Sequence, residues 1–158
     1  MLAPYKPAAT IEIGVMKVIS KPSQFRRVPG PIFLAAGFFD GLHKGHRMVL
    51  AGTLERAREV GGQAWVLTFD RHPLSVIAPS KCPPLLCSLD DRLRLLEDLG
   101  VDGVLVLEFT RRLALQEPET FVKWLCGKPR ESGAEAAGGG DSAKLNEVRC
   151  GHNWRFGR

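Results

Sequence analysis

An unbroken apolar run, Ile32–Ala36, stops at Gly37, and a few residues later the chain has become an amphipathic helix. An apolar run without alternation reads as a strand buried on both faces. After it, Leu50, Leu54 and Ala57 recur at helical spacing, with Glu55, Arg56, Arg58 and Glu59 on the other side, so a helix is expected over about 46–60, ended by Gly61-Gly62. The pairing repeats downstream. Residues 64–69 read as a second buried strand, and residues 70–87 as a proline-rich loop. Ser88 opens a second helix: its hydroxyl can cap free amides, and Asp90 and Asp91 favour the positive end. Leu89, Leu93 and Leu96 form its apolar face, and Gly100 ends it. Residues 104–107 read as a third strand, Pro118 as the first turn of a third helix carrying Phe121, Val122 and Leu125, and 147–150 as a fourth short strand.

Strands alternating with helices imply an α/β fold, a parallel sheet flanked by helices with right-handed crossovers. Ligands in such sheets bind beyond the carboxyl ends of the strands, where the strand order reverses. The rest of the chain is less patterned. Residues 1–15 read as a leader of little structure, and 128–143, with GAEAAGGGDSA inside, as a flexible Gly-rich insertion that buries too little apolar surface to order itself.

Composition excludes several classes. The 22 Lys and Arg against 17 Asp and Glu leave a net charge of +5, which favours anionic ligands. The arginines, Arg92 among them, are dispersed without a basic block and read mostly as solvated surface, so no nucleic-acid partner is expected. No apolar run is long enough for a bilayer and no signal-peptide pattern is present, so a cytoplasmic protein without membrane contact is expected. Cys82, Cys87, Cys126 and Cys150 form no Cys-x-x-Cys pair. Cys150 and His152 lack a second ligand pair at zinc-finger spacing, so the thiols read as reduced and structurally passive, and no protein metal site is expected. Trp65 and Trp124 read as core packing.

The chemistry concentrates in residues 37–46. A strand ends, Gly41 and Gly45 relax the backbone, and a helix begins, which presents unpaired N–H groups and a positive dipole end to an anion. Gly45 lets a phosphate approach the backbone closely. His43 and His46, three apart, point to one side of a first helical turn and can donate hydrogen bonds to phosphate. Lys44 and Arg47 flank them and are read equally as phosphate contacts or as exposed helix positions.

This stretch, Gly37-Phe-Phe-Asp-Gly-Leu-His-Lys-Gly-His46, resembles the signature of the prokaryotic FAD synthetase family, in its N-terminal FMN adenylyltransferase module. Thr68-Phe-Asp-Arg-His-Pro73 is similar to the family's second motif, with Arg71 where proline is usual, and Asn153-Trp-Arg-Phe-Gly157 to its later Phe-Gly motif. The resemblance implies a Rossmann-like nucleotidyltransferase fold and transfer of AMP from ATP to FMN, giving FAD and pyrophosphate with Mg²⁺. It implies that His43 and His46 contact the ATP phosphates. Gly37, Phe38, Phe39 and Asp40 would border the adenosine, with Gly45 beside the phosphates. Phe69, His72 and Pro73 would lie near the FMN, and Asn153 would contact both the reacting phosphates and the flavin nucleotide. Trp154 and Phe156 are read equally as stacking on a ring or as packing. The family's module continues past Phe-Gly with a Ser-Thr-rich segment and an arginine, and a riboflavin kinase module follows. Neither lies within these residues, so a C-terminally incomplete domain over 16–158 is expected. Two other readings stay open: another His-x-Gly-His nucleotidyltransferase, acting on pantetheine phosphate or a cytidine nucleotide, and a non-catalytic module that binds flavin or nucleotide.

Overall fold

A computed structural model describes residues 11–13, 15–127 and 144–152. Its centre is one sheet of six strands in the order β1-β2-β5-β4-β3-β6. These are β1 (Ile11–Ile13), β2 (Met16–Ile19), β3 (Ile32–Ala36), β4 (Gln63–Phe69), β5 (Gly103–Leu107) and β6 (Leu145–Cys150). All neighbours run parallel except β1, which pairs antiparallel with β2. The α/β sheet expected from the alternation is thus present, with one antiparallel strand at its edge.

The central strands are almost wholly apolar because two cores share them, with Thr68 the buried polar exception. Phe33, Ala35, Ala64, Val66, Val104 and Val106 project into one cluster, beneath α2 (Lys44–Val60) and α4 (Leu89–Asp98). Ile32, Leu34, Ala36, Trp65, Leu67, Leu105 and Leu107 project into the other, beneath α1 (Pro22–Phe25) and α6 (Pro118–Cys126). Successive side chains of a strand point to opposite faces, so a strand covered on both sides loses its polar phase. The edge strand β6 instead alternates half-buried and exposed positions.

The helices end where the sequence signals say. Ser88 accepts a hydrogen bond from Asp91 N at 3.1 Å, Pro118 occupies the first turn of α6, and Gly61 closes α2 at φ 65°. Four expectations need correction. Residues 11–13, read as leader, form β1, which is held by pairing with β2. The loop 70–87 contains a helical turn, α3 (Leu74–Ile77). Trp124, read as core packing, is 39% exposed, because Phe121 and Leu125, with Cys126 partly buried beside them, seat α6 on the sheet. Arg92, read among the surface arginines, is 0% exposed. The Gly-rich insertion at 128–143 lies outside the described residues.

Candidate functional site

The strand order reverses between β3 and β6: from β3 the chain builds β4 and β5 on one side, then returns to place β6 on the other. An open cleft of about 850 Å³ lies at the carboxyl ends of these strands, lined by Ala36–Phe39 after β3 and by Cys150–His152 after β6. This is where a parallel sheet separates its loops and leaves room for a ligand.

One end of the cleft is built by the turn between β3 and α2. Phe39 has φ 57°, Gly41 φ 64° and Leu42 φ 41°, so three of four consecutive residues leave the right-handed region. Positive φ costs energy at non-glycine positions. Burial offsets it here, since Phe39 and Leu42 are 1% and 2% exposed in the core. A Cβ on Gly41 would stand 2.9 Å from the tip of the exposed Leu86 side chain, which can move aside, so it is the positive φ that asks for glycine at position 41. The turn is held from outside by Asp40, whose carboxylate accepts from Leu86 N at 2.9 Å and Cys87 N at 3.1 Å, while Gly41 N donates to Cys87 Sγ at 3.3 Å. Burial alone would raise the Asp40 pKa. The bonds from Leu86 and Cys87, with the Arg92 charge behind them, hold it below the usual carboxylate value of 3.8.

The turn delivers His43 to the N-cap of α2, one step before the first helical turn where spacing placed it. Its Nδ1 accepts from His46 N at 3.4 Å, so a neutral His43 carries its proton on Nε2. The two imidazoles stack with centroids 3.6 Å apart and planes 21° from parallel. The His46 ring also meets the Phe39 ring edge-on at 5.2 Å. His46 Nδ1 is buried without a hydrogen-bond partner among the described residues, and the residue lines the cleft. Burial, reinforced by the neighbouring His43 and opposed by Asp40, lowers the His46 pKa from 6.5 to about 4. At neutral pH, His46 therefore stands as an uncharged donor at a helix N-terminus. Gly45 lines the cleft beside it, and a Cβ there would come within 3.3 Å of the His43 ring. Arg47, a candidate phosphate contact, instead donates through Nε to Leu42 O at 3.1 Å.

The other end is apolar. Phe69 and Phe109 meet edge to face at 4.9 Å, and Leu74, Ile77, Leu113 and Phe121 complete the wall. His72 accepts from Leu74 N at 3.0 Å through Nδ1 and packs edge-on against Phe38 at 4.9 Å. Asp70 pins this end, accepting from Phe109 N at 2.9 Å and from the Arg71 guanidinium at 3.0 and 2.8 Å.

The fold thus brings Gly37, Phe38, Phe39, His43, Gly45, His46, Phe69, His72 and Pro73 into one cleft. Asp40 is absent from its wall and holds a loop instead. Asn153, Trp154 and Phe156 lie outside the described residues. Sequence reasoning missed Phe109, Leu113 and Met48 on the wall, where single apolar residues in short loops carry no periodic signal. It also missed Arg92, whose place between Leu89 and Leu96 on the stripe of α4 was a readable sign of burial.

Comparison with known proteins agrees with this geometry. A family model described as FAD synthetase matches residues 26–133. The bifunctional riboflavin kinase/FMN adenylyltransferase of Escherichia coli K12 is 39% identical over 95 residues, covering 60% of this chain and 30% of that protein. A protein of Geobacillus thermodenitrificans described as a putative bifunctional riboflavin kinase/FMN adenylyltransferase is 29% identical over 89% of this chain and 68% of its own length. The chain therefore spans about 30% of the length of relatives such as the Escherichia coli enzyme. In fold it is similar to the crystal structure of a macrolide-efflux protein from Streptococcus pneumoniae, with TM-score 0.66 and 20% identity, over 90% of this chain and 44% of that one. No helix among the described residues is long and apolar enough to cross a membrane. A family match over most of the chain, joined to the glycine and histidine turn at the sheet's switch point, makes this chain a member of the FAD synthetase family.

Proposed function

We propose that this chain transfers the adenylyl group of ATP to FMN, giving FAD and pyrophosphate. One observation carries the reading: a single cleft of about 850 Å³ joins a stacked imidazole pair at a helix N-terminus to an apolar aromatic wall. The first end suits a polyphosphate and the second a flat, largely apolar ring system. The relatives' printed names, riboflavin kinase/FMN adenylyltransferase, support FMN as the acceptor.

In this reading an FMN phosphate oxygen forms a bond to the α-phosphorus of ATP. The bond from that phosphorus to the bridging oxygen breaks, and pyrophosphate leaves with the electron pair. The attacking oxygen is already ionised, so no general base is required. Catalysis reduces to alignment and to donors aimed at developing charge. The Nε2–H groups of His43 and His46, together with the first amides of α2, supply those donors. Gly37, Phe38 and Phe39 border the nucleotide, Phe69, His72 and Pro73 the flavin, and Asn153 keeps the polar contact that the family resemblance gives it. Asp40 builds the turn.

Mg²⁺ prefers carboxylate, phosphate and water oxygens. No carboxylate lines the cleft, and no cluster of three or more His, Cys, Asp or Glu able to hold a metal occurs among the described residues. These residues do not form a resident Mg²⁺ site. The ion would fit as a companion of the ATP phosphates.

The test is incubation with Mg-ATP and FMN, with FAD and pyrophosphate quantified beside His46→Ala. The wild-type chain should form both products in equal amounts, and His46→Ala should be slower by about 100-fold, the usual loss when one transition-state donor is removed. Binding of FMN and ATP without pyrophosphate release would instead support the non-catalytic reading.

A further inference from the structure

Arg92 projects from α4 to the floor beneath the cleft and is completely buried. Its Nη1 donates to Phe38 O at 2.9 Å, to Thr68 Oγ1 at 3.0 Å and to Phe69 O at 3.0 Å, and the Cys87 side chain lies near the guanidinium. Thr68 Oγ1 also donates to Phe38 O at 2.9 Å. The guanidinium carbon stands 4.2 Å from the centre of the Phe38 ring. Nε and Nη2 have no hydrogen-bond partner among the described residues. Burial draws the Arg92 pKa down, and Cys87, Asp40 and Asp70 oppose it. The side chain remains cationic, as arginine does in proteins.

A buried cation with unmet donors is expensive, and a methionine or leucine would fill the space without that cost. The contacts that offset it all fall at the carboxyl ends of β3 and β4. There the strands hand over to the imidazole turn and to the Phe69–Pro73 segment. Phe38 O and Phe69 O lie just past and at the end of two neighbouring strands, where the chains diverge. One nitrogen closes the gap between them.

Taking the cleft as the site of adenylyl transfer, we infer that Arg92 is a positioning residue that fixes the separation of the phosphate end from the flavin end. It touches neither substrate in this arrangement. It acts through the peptide planes after Phe38 and Phe69 and through the Phe38 ring, which packs on His72. A change in either carbonyl would move the imidazole pair relative to Phe69 and His72, the groups that must hold the two reactants in line.

Three acceptors converge on Nη1 and share its two N–H groups, while the ammonium of Arg92→Lys has three N–H donors but ends one bond short of Nη1. Arg92→Lys should therefore keep part of the tie, whereas Arg92→Met keeps the apolar stem and removes every donor. Amide hydrogen exchange and FMN-to-FAD kinetics are measured on the wild-type chain and both variants. In Arg92→Met, exchange over residues 37–40 and 69–71 should rise by at least ~10-fold, as local opening does, while amides in the middle of α2 and α6 stay protected. The kcat should fall by roughly 10–100-fold with KM for ATP within about 3-fold, the pattern of reactants bound but misaligned. Arg92→Lys should recover part of both readings, lying at least about 3-fold closer to wild type than Arg92→Met. Unchanged local exchange in Arg92→Met, or a lysine variant no better than methionine, overturns the assignment. Should Arg92→Met fail to fold, Thr68→Val takes its place. It deletes one acceptor of Arg92 and the hydroxyl bond to Phe38 O, and the same local opening is expected. A wild-type chain that makes no FAD sinks the adenylyl-transfer reading alone, and the exchange pattern still decides the role of Arg92.

Discussion

Two loops leave adjacent strands toward the same cleft, and they are stabilised in different ways. The loop after β3 reaches the imidazole pair through positive φ at Phe39, Gly41 and Leu42, and the loop after β4, residues 70–73, contains none. Each is pinned by an aspartate that accepts backbone amides from far along the chain: Asp40 from Leu86 and Cys87, Asp70 from Phe109. Asp70 is nearly closed to solvent, with 4% of its side chain exposed. Asp40 holds a loop whose Leu86 is 74% exposed. The contrast suits the roles proposed for the two ends. Donors for a phosphate must be fixed in direction, so the chain there is strained and externally braced. A flat apolar ring asks only for packed surface, which is non-directional.

The largest effect is expected from deleting the two pins and comparing them. Asp70→Ala leaves Phe109 N buried without its acceptor and should cost about 3 kcal/mol in urea unfolding. Asp40→Ala leaves amides that water can reach, and should cost about 2 kcal/mol or less. In function the losses should instead divide by ligand, with the Asp40 variant losing more of its ATP binding and the Asp70 variant more of its FMN binding. Equal losses of both ligands in both variants would break the comparison, because the two ends would then be one structural unit.

The same contrast governs what could be read in advance. Strands β3, β4 and β5 were legible because burial on both faces turns them into unbroken apolar runs. β2 was not, since Lys17 interrupts its four residues and nothing in so short a run marks a strand. The single-turn helices α1, α3 and α5 (Arg111–Ala114) are too short to show a period. In the site, the phosphate end was legible because it is written in glycines and histidines that nothing else in the chain resembles. The apolar end was only half legible: Phe69, His72 and Pro73 belong to a motif, but Phe109 and Leu113 are ordinary apolar residues that only the folded chain brings beside them. Arg92 was obscured by its own charge, although its helical phase placed it inward.

A smaller effect separates the two ends by pH. His46 has a folded pKa of about 4 against an ordinary 6.5, so the unfolded chain binds the extra proton between those values. Stability from His46 is then fully present above pH 6.5 and is lost as pH falls toward 4. The ring is only half buried, so the loss should be about 1 kcal/mol after allowance for solvent screening. Asp40 does not confuse the reading, because its lowered pKa places its titration below 3.8, outside that window. His46→Phe should remove the slope. A slope that survives in His46→Phe would mean that the phosphate end is not the pH-sensitive one. Bound ATP should raise the His46 pKa, so binding near pH 5 should take up protons, measurable by titration calorimetry in buffers of different ionisation enthalpy.

The smallest effect concerns Arg71, which stands where the family motif usually has proline. Its guanidinium reaches Asp70 at 2.8 Å and approaches Glu108 at 3.9 Å, yet its side chain is 38% exposed. A pair open to water contributes little, because solvent screens it and ordering the long side chain costs entropy. Asp70 also keeps its bond to Phe109 N whether or not Arg71 is present. Arg71→Ala should therefore change stability by no more than about 0.5 kcal/mol, and the difference should vanish in high salt. That outcome would leave the apolar end held by a backbone bond and by ring packing, as the comparison requires. A salt-sensitive loss above about 1 kcal/mol would show Asp70 depending on its cation. The flavin end would then be braced by charge as firmly as the phosphate end is braced by its turn.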